Sequence, residues 1–170
     1  MNALLQTIGE LASAQTLEEI AGAVRQRARA LVNADGVTFV IRENMSCFYL
    51  DEDAISPLWK GKRFPLDSCI SGWVILNGQI AVIPDIYADA RIPHDAYRPT
   101  FVKSLAMVPV PQDKPVAAIG AYWSQPHEAT WGEQYTLQAI ANAAGVALQN
   151  KRLYEELSRT AEDRVSTART

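Results

Sequence analysis

The sequence predicts one α/β domain built on an antiparallel sheet, and three observations carry that reading. Two β-branched, aromatic-rich stretches each run out, turn and return, at 37–50 and at 104–123, as hairpins do. Amphipathic helical stretches stand at both ends of the chain, with apolar residues at i, i+3 and i+4. The chain has 170 residues, of which 48% are hydrophobic, enough to bury a core without disulfides or metals.

In order, Leu4, Leu5, Ile8 and Leu11 mark a first helix over 2–13. Thr16-Leu17-Glu18-Glu19 is a capping box that opens a second, with Leu17, Ile20, Ala21, Val24, Ala28, Leu31 and Val32 on one face and Asn33-Ala34-Asp35-Gly36 as its stop. Val37–Ile41 reads as a strand and Ser46–Leu50 as its return, ended by Asp51, Glu52 and Asp53. A short helix is expected near Ile55 to Trp59, and an edge strand at Arg63–Leu66, where Pro65 is tolerated. Asp67 or Ser68 is expected to cap a short helix over Cys69–Leu76, closed by Asn77-Gly78. Ile80–Ile83 is a buried-type strand. Residues 84–99 have neither period and read as a long ordered loop of the kind that carries function, followed by a helical turn at Pro99–Lys103. Ser104–Val110 and Val116–Trp123 form the second hairpin. Thr130-Trp131-Gly132-Glu133 is a second capping box, opening a helix that runs to about Ser158 with Leu137, Ile140, Ala141, Ala144, Ala147 and Leu148 on one face. The first and last helices exceed what a sheet of this size needs, so both are expected to face a partner chain.

A net charge of −3 gives no bulk attraction for phosphates, so a nucleic-acid partner is not expected. Lys60, Lys62 and Arg63 read as a solvated loop, and Arg25, Arg27 and Arg29 as the wet side of a helix. The N-terminal residues lack the basic and apolar regions of a signal peptide, and no stretch reaches the length of a membrane span. The expected location is the cytoplasm, with no membrane contact by this segment. Only Cys47 and Cys69 are available as thiols, too few for a secreted disulfide scaffold.

The stretch from Phe64 to Val110 is the most specific. Ser71-Gly72-Trp73-Val74, Ile83-Pro84-Asp85 and the Ser104–Val110 strand ending in Val-Pro-Val resemble the motifs of GAF domains, and the resemblance extends from about Thr16 to Gln149. It looks closest to GAF domains placed upstream of bacterial histidine kinase modules. The resemblance implies a central antiparallel sheet of five or six strands, terminal helices on one face, short helices and the long loop enclosing a ligand pocket on the other, and dimers formed through the terminal helices. The chain then divides into an N-terminal helix (1–15), the sensor domain (16–149) and a connecting, signalling helix (150–170).

On this reading Trp73, Tyr87, Tyr97 and Phe101 line a pocket, Asp85, His94 and Arg98 supply polar handles, and Cys69 stands at the mouth of the short helix. The ligand is unknown. Bilin attachment is not expected: the region 97–104 has no Cys, and Met45 stands where an acidic residue would precede Cys47. Haem and metal are not expected either, because His94 and His127 are the only histidines and no metal-binding spacing is present. No catalytic triad or phosphate loop occurs, so this segment is not read as an enzyme. The long last helix, about 42 Å for ~28 residues, outruns the sheet, and Leu153, Tyr154 and Leu157 beyond Gln149 make it a pairing surface. It ends without a Gly or Pro stop, as a piece cut inside a connecting helix would. The function expected is a signal-sensing input domain of a two-component sensor, working as a parallel homodimer with an output domain in the same polypeptide. Two alternatives stand beside it: a thiol-based reductase of the free methionine sulfoxide type, and a ligand-free dimerisation module.

Overall fold

The computed structural model describes residues 2–169, with side chains through 164; Val165, the one strongly apolar residue after Leu157, has its side chain outside that range. Helices α1 (Ala3–Ser13) and α2 (Leu17–Leu31) precede strands β1 (Gly36–Glu43), β2 (Ser46–Ala54) and β3 (Arg63–Pro65). Helix α3 (Ile70–Asn77) leads to β4 (Ala81–Ile83), the short helix α4 (His94–Tyr97), β5 (Ser104–Val110), β6 (Ala117–Trp123) and the helix α5 (Trp131–Arg169). The six strands form one antiparallel sheet in the order β3-β2-β1-β6-β5-β4. The α/β fold expected from the pattern is the one observed.

Both capping boxes form. Thr16 Oγ1 accepts from the Glu19 N–H at 3.1 Å, and the Glu19 carboxylate reaches back to the Gln15 N–H. Thr130 Oγ1 accepts from the Glu133 N–H while Glu133 accepts from the Thr130 N–H at 2.8 Å.

The sheet separates two cores of different chemistry, because successive residues of a strand point to opposite faces. One face carries Val37, Phe39, Ala106, Val108, Ile119 and Ala121, packed under Ile20, Val24 and Ala28 of α2 and Leu137, Ile140 and Ala144 of α5. Leu11 of α1 joins that same core, so α1 lies on the domain through its own buried side chains rather than standing clear of it. The other face carries Val40, Cys47, Tyr49, Leu105, Met107 and Tyr122 beneath α3 and the 84–103 loop.

Several local expectations are corrected. Asp51, Glu52 and Asp53 do not end β2, which continues to Ala54. Arg25 of α2 and Lys60 pair with Asp51, and Arg29 pairs with Asp53, so the supposed wet face of α2 supplies the cations that let these carboxylates lie in the sheet. Arg27 pairs with Glu10 of α1. No helix forms near Ile55; the Glu52 carboxylate instead accepts the N–H groups of Leu58, Trp59 and Lys60 at 2.8–2.9 Å and fixes that turn without helical bonds. No helical turn forms at 99–103, whereas the 84–99 stretch holds a short 3-10 turn at Ile86–Ala88 and α4. Helix α5 runs well past Ser158. Among the described residues no helix is long and apolar enough to cross a membrane.

Candidate functional site

Helix α3 is capped by neither Asp67 nor Ser68 but by Cys69, whose Sγ accepts the Gly72 N–H at 3.4 Å. The helix sits down on the preceding turn because residue 72 has no side chain: a Cβ there would lie 1.7 Å from the Leu66 carbonyl oxygen. Gly78 ends it in the left-handed conformation, φ 62°, that glycine adopts without steric cost. This close seating puts Ser71 into the core. Its Oγ lies 3.3 Å from Cys69 Sγ and 3.2 Å from the Tyr49 hydroxyl of β2. Cys47, two residues before Tyr49 on the same strand face, completes a buried polar group of two thiols, a hydroxyl and a phenol.

Beside it stands an aromatic cluster centred on Trp59. Its ring meets Tyr97 at 4.5 Å, Tyr122 at 5.4 Å and Tyr49 at 5.6 Å, and Tyr49 meets Phe64 at 5.4 Å. Trp59 Nε1 donates to the Ala96 carbonyl at 3.0 Å, tying the 55–62 turn to the 84–103 loop. The Tyr122 hydroxyl shares a 2.8 Å hydrogen bond with Thr38 Oγ1, both fully buried. The Tyr97 hydroxyl is buried without a well-formed hydrogen bond; what it has is a poorly placed interaction with the Tyr122 hydroxyl. Burial pushes the phenols of Tyr49, Tyr97 and Tyr122 up, so all three are neutral. The rings themselves occupy the space between α3, the 55–62 turn and the long loop.

The thiols are unlike each other. The Cys69 thiol is held below the ordinary range, first by the hydrogen bond from Cys47, with Ser71 and the Gly72 N–H adding to it and burial opposing. Cys47 is pushed up, by that same bond and by burial. The pair therefore holds its more acidic sulfur at the N-terminus of α3.

The sequence-predicted residues divide into interior and surface sets. Cys69 and Tyr97 enter the buried cluster, Phe101 packs against it, and Trp73 lies half-buried at its edge under the Arg91 guanidinium, 4.3 Å from ring centre to Cζ. Asp89 grips Arg91 at 2.7 Å, so the loop closes on α3 through Asp89, Arg91 and Trp73. His94 Nε2 lies 3.0 Å from the Ile86 and Asp89 carbonyls; two acceptors fix that nitrogen as the protonated one, and it staples the loop instead of facing the interior core. Asp85 caps the 3-10 turn by accepting from the Tyr87 N–H, Tyr87 is exposed, and exposed Arg98 pairs with Asp95. These three are not brought to the cluster. Sequence reading missed Thr38, Tyr49, Trp59, Ser71 and Tyr122. The alternation Cys47, Tyr49 along β2 was the available signal for one of them; it breaks at Leu50, where a register shift turns Asp51 to the α2 side.

On the opposite side, Leu153, Tyr154 and Leu157 are exposed and line an open groove of about 1010 Å³ between α5 and the α1–α2 connection at Ala12–Thr16. The exposed face of α5 also starts earlier than the sequence suggested. Trp131, Tyr135, Val146, Leu153 and Leu157 are each about half or more exposed. At 3.6 residues per turn they fall within roughly 80° of arc along about 39 Å of helix. Trp131 and Tyr135 stack at 5.4 Å.

Among the described residues, no group of three or more His, Cys, Asp and Glu side chains is placed to hold a metal ion. A family model described as GAF domain matches residues 14–149. No curated protein matches the chain. Solved structures do. The GAF domain of a phosphoenolpyruvate-protein phosphotransferase from Acinetobacter is similar at a TM-score of 0.77 and 13% identity, over 91% of this chain and 95% of that one. The free methionine-R-sulfoxide reductase of Neisseria meningitidis, solved with its substrate, is similar at 0.73 and 14%, over 89% of each chain. The phycocyanobilin-bound GAF domain of a cyanobacterial phytochrome is similar at 0.73 and 19%, over 91% and 97%. At these identities the likeness is one of fold.

Proposed function

The chain belongs to the GAF domain family, a family of signal-sensing regulatory domains, and from that premise we propose that it is a non-enzymatic cytoplasmic input domain, of a two-component sensor histidine kinase, that works as a parallel homodimer. The observation that carries the proposal is the apolar stripe along α5. A helix whose inner face is core and whose outer face exposes Trp131, Tyr135, Val146, Leu153 and Leu157 has two apolar faces and only one of them covered. A second copy of the same helix, laid parallel, covers the other and sends both chains in one direction toward an output domain. The histidine kinase assignment rests on the resemblance of Phe64–Val110 alone. The signal enters from the other face of the sheet, where the poorly satisfied Tyr97 hydroxyl offers a small neutral molecule one buried polar contact among rings.

Light scattering on the chain and on the double variant V146E/L153E tests the pairing. Both positions are exposed in the protomer, so folding is unaffected; the chain is expected to run as a dimer and the variant as a monomer. A monomeric chain, or a variant that stays dimeric, removes the role given to this face. The reading as a ligand-free dimerisation module has one observation in its favour, the rings that fill the second core. A ligand that raises the melting temperature of the chain but not of a variant with Tyr97 replaced by Phe decides against it.

A further inference from the structure

We propose that Cys47 and Cys69 form a peroxide-sensitive dithiol that closes to a disulfide joining β2 to the start of α3. This goes beyond the sensing role above and does not rest on it: neither a small-molecule ligand nor the dimer enters the argument.

The placement is the first ground. Cys47 lies on the face of β2 that carries Tyr49, and Tyr49 reaches Ser71 at 3.2 Å. Ser71 in turn lies 3.3 Å from Cys69 Sγ, and both thiols belong to the buried cluster around Tyr49 and Ser71, close enough to perturb each other's acidity. Both are free and both are buried, Cys69 with about a twentieth of its surface exposed. They are the only two thiols the chain has, and both lie in the same buried cluster.

The chemistry is the second ground. Cys69 Sγ accepts the Gly72 N–H at 3.4 Å and caps α3, whose N-terminus favours negative charge; the Ser71 hydroxyl lies 3.3 Å away, and the protonated thiol donates to the Pro65 carbonyl at 3.4 Å. Cys47, pushed up by Cys69 and by burial, is the proton-bearing partner. The oxidant is a hydroperoxide, small enough to enter a site closed to larger reagents. The Cys69 thiolate attacks one oxygen of hydrogen peroxide; the O–O bond breaks, a Cys69 sulfenic acid forms, and the departing hydroxide takes a proton and leaves as water. The Cys47 sulfur then attacks Cys69 Sγ, the S–O bond breaks, and a second water leaves with the Cys47 proton. Two thiols are oxidised and one peroxide is reduced to two waters. Oxidation replaces the thiolate cap of α3 with a neutral sulfur and ties the helix to β2, on the floor of the core that meets the long loop.

The test is peroxide treatment of the whole chain under native conditions, followed by intact mass and peptide mapping without reduction. The chain is expected to lose two hydrogen atoms and to give a cross-linked peptide pair containing Cys47 and Cys69, reversed by a dithiol reductant. C69S, in which serine supplies the helix cap, is expected to show neither change. C47A is expected to stop at a sulfenic acid on Cys69, which dimedone traps when it is added with denaturant after the peroxide is removed. Intact thiols after peroxide, oxidation of Cys69 to sulfinic acid with no cross-link, cross-links only between chains, or dimedone trapped on Cys47 in C69S would each overturn the proposal.

Discussion

Tyr97 and Tyr122 are two buried tyrosines against one tryptophan, and loss of the hydroxyl should act on them with opposite sign. Tyr122 shares a 2.8 Å hydrogen bond with Thr38, itself fully buried. Replacing Tyr122 by Phe removes that bond and leaves Thr38 Oγ1 without a partner, a loss of about 1–3 kcal/mol. Tyr97 is equally buried, but its hydroxyl makes no well-formed hydrogen bond, only a poorly placed interaction with Tyr122. Replacing Tyr97 by Phe relieves an unsatisfied group and leaves only a small void, a gain of about 1 kcal/mol. For a chain of this length each kcal/mol moves the melting temperature by roughly 2–4 °C. Calorimetry on the unliganded chain should therefore show Y97F melting roughly 2–4 °C higher and Y122F roughly 2–12 °C lower. The double variant T38V/Y122F should recover most of the loss, because both halves of the pair are then apolar. A Y97F variant destabilised as much as Y122F would refute the reasoning, since it would mean that the Tyr97 hydroxyl is satisfied in the free protein.

Three further outcomes follow from the same geometry. Replacing Gly72 by Ala sets a methyl group 1.7 Å from the Leu66 carbonyl oxygen, backbone that cannot swing aside; a loss of about 3 kcal/mol or more, roughly 6–12 °C in melting temperature, is expected by calorimetry. Replacing Glu52 by Ala strips the acceptor from three N–H groups; amide exchange at 58–60 should accelerate and Trp59 fluorescence should shift, at a cost of about 1.5–3 kcal/mol. The Arg91 guanidinium beside Asp89 holds that carboxyl below its ordinary value of 3.8. Its contribution to loop closure is therefore full above pH 3.8 and is lost as the pH falls further, through the lowered folded value. Amide exchange of the 84–99 segment against pH should show this loosening in the chain and not in D89N, which should be loose throughout.

The elements with local causes were legible in the sequence, and those with distant causes were not. Thr16 and Thr130 cap helices through partners three residues away, so the capping boxes could be read directly. The acidic run Asp51–Asp53 looked like a strand end because the cations that hold it come from α2 and from Lys60 across the fold. The spacing around Trp59 suggests a helix, but the three bonds that fix its turn go to the side chain of Glu52, which residue spacing does not reveal. The same limit applies to the site. Tyr49 and Tyr122 share a face only because β1 lies between β2 and β6 in the sheet, an order fixed by long-range pairing. The long loop was placed correctly as a cover for that face. Yet its charged residues, Asp85 and Arg98, serve the loop's own turns and surface, which composition could not distinguish from pocket handles.

How a change at the second core reaches α5 follows from the alternation of β5 and β6. Leu105 and Met107 face the aromatic cluster while Ala106 and Val108, their neighbours in chain, face the helices. On β6, Tyr122 sits in one core and Ala121 and Trp123 in the other. Neither strand can move for one core without moving for both. Helix α5 is fastened to the end of this hairpin at three successive points. Gln138 donates to the Pro109 carbonyl at 2.9 Å, Asn142 accepts the Gln112 N–H at 3.2 Å, and Gly145 lies so close to Pro111 that a Cβ would come within 2.6 Å of its ring. Beyond Ala147 the outer residues have lost the sheet. The hairpin end is thus a fulcrum, and the helix past it is a lever whose exposed stripe reports any rotation to a paired copy. Replacing Gly145 by Ala forces the helix off Pro111 while leaving the exposed stripe intact. The expected result is a dimer, by light scattering, whose amide exchange at 138–148 is raised. Unchanged protection in that segment would mean that α5 is not held at this point and that the hairpin is not the place where the two cores are coupled.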